Sequence, residues 1–136
     1  MKTERKKKSM CRNQKFYICE ICHNLVGRIE DSGVPLICCG TEMTELVPNT
    51  VEASAEKHLP FITLEDETLT VEVGSIHHPM EPAHHIPFIY VETEQGGQRK
   101  CLEVGAEPVA KFRFIDDKPV AVYAYCNLHG LWKTEL

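Results

Sequence analysis

Four cysteines constrain this chain more than any other feature: Cys19-x2-Cys22 and the adjacent pair Cys38-Cys39 fall within a stretch of roughly 30 residues. A segment that short cannot bury enough apolar surface to fold alone and needs a disulfide framework, a metal or a partner. Four thiolates complete the donor set of one closed tetrahedral site of the zinc or mononuclear iron type, and metal binding then supplies the missing folding free energy. Adjacent side chains in a regular strand point to opposite faces, so Cys38 and Cys39 reach one ion only through a local bend. Gly40, directly after them, offers the conformational freedom for it. Thiolate count leaves zinc and iron both open.

The reading as metal ligands depends on compartment. Positive charge in the first ten residues is followed by no apolar stretch of signal-peptide type, so a cytoplasmic location is expected, where cysteines are ligands or free thiols rather than disulfides. No apolar run approaches the roughly 20 residues that cross a bilayer, so no membrane span is expected. Residues 1–15 carry seven Lys/Arg against one Glu, and residues 16–136 carry eight against nineteen Asp/Glu. The basic start is expected to be a disordered, solvated tail with no nucleic-acid role, and the body is acidic.

Lys15-Phe16-Tyr17-Ile18 and Leu36-Ile37 read as short strands that deliver the two cysteine pairs. Residues 45–55 lack a sustained period and contain Pro48, which suits a linker, and the boundary is placed near Asn49. Beyond it apolar residues alternate repeatedly: Leu69, Val71, Val73; Ile86, Phe88, Tyr90; Ala110, Phe112, Phe114; Val120, Val122, Ala124. Gly96-Gly97 and Asp116-Asp117-Lys118 separate such runs as turn signals, and no helical period is convincing. The fold expected is mainly β, a small four-cysteine domain over 16–49 followed by an antiparallel sandwich of immunoglobulin-like size over 50–136.

That second part carries its own ligands. Six of the seven histidines fall in three clusters: Glu56-Lys57-His58, His77 to His85, and Cys126-Asn127-Leu128-His129-Gly130. Four neutral imidazoles with one thiolate exceed the four-ligand preference of zinc, whereas iron accepts five protein ligands and keeps a sixth position for a small reactant.

These motifs resemble the desulfoferrodoxin family of two-iron superoxide reductases. Cys19-x2-Cys22 with Cys38-Cys39 is similar to its desulforedoxin-like centre, and Glu56-Lys57-His58, His78-Pro79-Met80, His84 and Cys126-Asn127-Leu128-His129-Gly130 are similar to its catalytic centre. The resemblance implies two mononuclear non-haem irons, with zinc as the alternative at the four-cysteine site. His58, His78, His84 and His129 would be equatorial ligands and Cys126 the axial thiolate. His77 and His85 each neighbour an assigned ligand and are left unassigned, His85 as a cover for the pocket. His23 is read as a surface residue. Cys11 and Cys101 have no assigned role, and Pro82 falls inside the loop that carries His84.

The same resemblance implies one-electron reduction of superoxide to hydrogen peroxide, a detoxification suited to an anaerobe or microaerophile. Lys57 would attract the anion and orient water, and Glu56 would be the carboxylate that closes the site once product has left. A rubredoxin-like or flavin-dependent donor would replace the electron, and a homodimer is implied. The alternative is a non-catalytic iron electron-transfer protein.

Overall fold

A computed structural model describes residues 13–136; the basic-tail reading of the first residues and Cys11 fall outside the described part. The described residues divide into two compact units, 13–47 and 48–136.

In the smaller unit, β1 (Lys15–Ile18) pairs with β2 (Leu25–Arg28) on one side and later with β5 (Thr44–Leu46) on the other. Between them β3 (Ile37–Cys38) and β4 (Thr41–Glu42) form a minimal hairpin in which Cys38 faces Thr41. Its two turn residues, Cys39 at φ 52° and Gly40 at φ 75°, are both left-handed, the requirement of a two-residue hairpin of matching twist. The bend expected from Gly40 is therefore shared with Cys39 itself. Phe16, Cys19 and Met43 are the only buried apolar residues here, while Ile21, Ile29, Val34 and Ile37 are exposed. That is too little core to hold the unit without its metal.

The larger unit is a sandwich. One sheet runs β10 (Val109–Arg113), β7 (Thr68–Val73), β6 (Pro60–Glu65); the other runs β12 (Gly130–Glu135), β11 (Pro119–Cys126), β8 (Phe88–Thr93), β9 (Gly96–Cys101), and every pairing is antiparallel. Leu69, Val71, Val73, Ala110 and Phe112 from the first sheet meet Ile89, Val91, Val122 and Ala124 from the second, and Met80 and Ile86 join the same cluster. Burying each large side chain of this set contributes about 1.5–3 kcal/mol.

Two details differ from the alternation read along the sequence. In β8 the core residues are Ile89 and Val91, because Phe88 and Glu92 on the opposite face are buried too and the pattern loses its contrast. Gly96 and Gly97 open β9, and the turn before them is Glu94-Gln95. A four-residue helix, α1 (Ala55–His58), precedes β6; one turn is too short to show a period.

Candidate metal centres

The sandwich gathers five donors at the end where β11 meets β12. One ligand atom from each of His58, His78, His84, Cys126 and His129 lies within 4.8 Å of all the others. The four imidazoles close a ring: centroids are 4.6 Å apart for His58–His78, 4.5 Å for His78–His84, 5.1 Å for His84–His129 and 4.9 Å for His129–His58. The diagonal His58–His84 is longer, at 6.5 Å.

Backbone carbonyls decide which nitrogens point inward. His58 Nδ1 donates to Ser54 O and His78 Nδ1 to Pro79 O, both at 2.7 Å, which leaves the Nε2 lone pairs facing the centre. His58 Nε2 then lies 3.2 Å from His78 Nε2 and 3.1 Å from His129 Nδ1. His84 Nε2 is buried without a hydrogen-bond partner. Cys126 is fully buried, and its sulfur accepts the backbone N–H of His129 at 3.3 Å. Trp132 stacks on His58 at 4.9 Å and donates from Nε1 to His129 O.

Electrostatics favour a cation here. Burial, chiefly, pushes His58 and His84 below their ordinary value and His78 down to about 4, so the rings are neutral at pH 7. Burial raises the Cys126 thiol, opposed by the N–H groups of Leu128 and His129. Converging lone pairs and a buried, orphaned Nε2 beside a buried sulfur call for an ion, and five donors of this type fit iron better than zinc.

Around the ring, α1 carries His58 inward and leaves Glu56 and Lys57 exposed. The Lys57 charge adds to the depression of both His58 and His84. Glu56 O accepts from Ile76 N–H at 3.0 Å and Ser75 Oγ at 3.3 Å, tying α1 to the turn before His78. A Cβ on Gly74 would sit 2.3 Å from Glu56 O, so only glycine permits that approach. Glu81 and His84 exchange two backbone hydrogen bonds, and Pro82 occupies the second position of that tight turn, where its fixed φ suits it. His77 turns outward to Glu72 at 3.1 Å. His85 keeps a buried, unpartnered Nδ1 and lies close enough to depress His84. Cys101 and His23 are exposed and stand in neither cluster.

The four-cysteine group forms a second cluster within the same 4.8 Å limit. Cys22 Sγ and Cys38 Sγ are 3.6 Å apart, and Cys19 Sγ accepts the Cys22 N–H at 3.4 Å. That N–H lowers the Cys19 thiol to about 6, while its neighbours Cys22 and Cys19 hold Cys39 up to about 12. With Cys19 lowered but Cys38 and Cys39 raised, metal uptake here releases protons.

Ser54, Trp132 and Asn127 belong to the surroundings of the ligands; the sequence marked Asn127 only as part of the Cys126-to-Gly130 motif, without a role of its own, and did not single out the other two. Trp132 left a trace as the sole tryptophan, three residues after His129.

Fold and sites together define a mainly β protein with a four-cysteine metal module and a sandwich whose centre offers four histidines and one cysteine. The desulfoferrodoxin family profile matches residues 50–135. The chain is 40% identical to a desulfoferrodoxin of Syntrophotalea carbinolica over 126 residues, 93% of this chain and 99% of that one. A desulfoferrodoxin homolog of Archaeoglobus fulgidus is 40% identical over 118 residues, 87% of this chain and 94% of that one. The crystal structure of the superoxide reductase from Treponema pallidum superposes with a TM-score of 0.77 at 31% identity, covering 91% of this chain and 100% of that one. This chain belongs to the desulfoferrodoxin family.

Proposed function

We propose that this protein is a superoxide reductase that works at iron held by His58, His78, His84, His129 and Cys126, in a catalytic domain spanning residues 50–136. The observation that carries the reading is the closed ring of four imidazoles gathered with a buried cysteine, a donor set that surrounds one ion and suits iron. Family membership and the likeness to the Treponema superoxide reductase support it. Bound there, ferrous iron supplies the single electron that, with two protons, converts superoxide to hydrogen peroxide.

The residues around the ion have separate tasks. Ser54 O and Pro79 O fix the tautomers of His58 and His78, and the N–H of His129 tempers the charge on the Cys126 sulfur. Lys57 offers the anion a local positive charge on an acidic body. Glu56 is the carboxylate that closes the mouth after product leaves. Cys19, Cys22, Cys38 and Cys39 hold a second iron in a domain of residues 16–49, with an auxiliary rather than obligatory role; zinc is its alternative metal. A rubredoxin-like or flavin-dependent protein returns the electron, the protein works as a homodimer, and it resides in the cytoplasm. No helix of the described residues is long and apolar enough to cross a membrane.

Metal analysis with a visible spectrum tests the assignment. Anaerobically purified protein should hold two irons per chain. Cys126→Ser should keep the sandwich but lose the ferric thiolate absorption of that centre and most superoxide reduction. Zinc at both centres, or a spectrum untouched by Cys126→Ser, would contradict it.

A further inference from the structure

His84 differs from His58 and His78 in how it is held. His58 and His78 each have an Nδ1 fixed by a backbone carbonyl, whereas the ring of His84 makes no hydrogen bond among the described residues. Its direction has to be set through its backbone. The tight turn from Glu81 closes one side. The other restraint comes from the cysteine loop: Asn127 Nδ2 donates to Ala83 O at 3.0 Å, Asn127 Oδ1 accepts from His85 N–H at 2.8 Å, and Asn127 N–H donates to His85 O at 3.2 Å.

These three bonds bracket His84, one residue before it and one after, and they originate from the residue next to Cys126. The amide matches the task, since one carbonyl and one N–H must be met at once and a carboxamide presents an acceptor and a donor side by side on one planar group. We propose that Asn127 is a positioning residue that clamps the His84 loop to the Cys126 loop and so fixes the distance between two ligands 42 residues apart in sequence. The clamp is exposed, so each bond adds little to global stability; its effect is on geometry. The proposal rests on the iron reading of the five-donor site.

The test uses the full chain loaded with Fe(II) and a ferrous chelator in competition, read beside the melting temperature of the metal-free protein. Removing an outer partner of a metal ligand typically weakens binding 10–100-fold. Asn127→Ala should lose affinity by about that factor at the sandwich centre, with the four-cysteine iron retained and metal-free melting near wild type. Asn127→Asp keeps the acceptor for His85 and loses the donor to Ala83; it should also bind more weakly, and it carries the test if the alanine variant does not fold. Gln95→Ala, which removes an exposed side-chain hydrogen bond to Asp116 O at the Glu94-Gln95 turn, should leave iron affinity unchanged. A folded Asn127 variant with wild-type affinity overturns the clamp alone. Wild-type protein that takes up no metal in the sandwich overturns the clamp and the iron reading together.

Discussion

His58 Nε2 and His78 Nε2 face each other at 3.2 Å, each with its opposite ring nitrogen spent on a backbone carbonyl. Neither ring can take a proton on the inner side without placing positive charge in a buried cluster of imidazoles. This sets the behaviour of the metal-free protein in acid.

Both groups titrate below the ordinary histidine value of 6.5, His78 at about 4, with burial the main cause. As pH falls from about 6.5 toward about 4, the unfolded chain binds protons that the folded one refuses, so protonation favours unfolding. Metal-free protein should therefore lose stability across that window and show no dependence from these groups above it. Denaturant midpoints at pH 7.5, 6 and 5 check this. A midpoint that stays flat or rises toward pH 5 would contradict the buried neutral cluster.

Cys38→Ser removes one of four donors from the small unit and leaves all five donors of the sandwich in the sequence. Iron content should fall from two per chain to one, and superoxide reduction with a chemical donor should largely survive. Loss of all activity in a folded protein would make the four-cysteine iron an obligatory relay.

Lys57 is exposed, directly before ligand His58, and its charge depresses His58 and His84, on a body where residues 16–136 carry nineteen acidic groups against eight Lys/Arg. Local positive charge can raise the encounter rate of an anion by about 10 to 10³-fold, and salt weakens this as the Debye length shortens to about 8 Å near physiological ionic strength. Lys57→Ala should slow the reaction of reduced enzyme with superoxide by roughly tenfold and flatten or reverse its salt dependence. The iron spectrum should barely change. Pulse radiolysis at several ionic strengths measures both, and a wild-type rate with a wild-type salt slope would make Lys57 a solvated bystander.

Much of this was legible in the sequence for identifiable reasons. Leu69, Val71 and Val73 in β7 and Ala110 and Phe112 in β10 alternate cleanly, because their sheet buries one face fully and leaves the other half-buried or exposed. The ligands stand in short motifs, since thiolates and imidazoles at fixed spacing carry their chemistry with them. β8 was blurred because Phe88 and Glu92 are buried opposite Ile89 and Val91, so no period survives. Ser54 and Trp132 were missed, and Asn127 was read only as a member of its motif, for another reason. Ser54 acts through a carbonyl that every residue has, and Asn127 and Trp132 matter only once the loops around His84 and His58 close on them.

The most direct test of the reductase claim is stoichiometry under donor-limited turnover. Known amounts of superoxide are delivered to the two-iron protein while peroxide formed and donor oxidised are counted. A reductase yields one peroxide and consumes one donor electron for each superoxide. One peroxide per two superoxide ions, with oxygen released and donor untouched, would make the site a dismutase. No superoxide consumed above the uncatalysed rate would leave an electron carrier in its place.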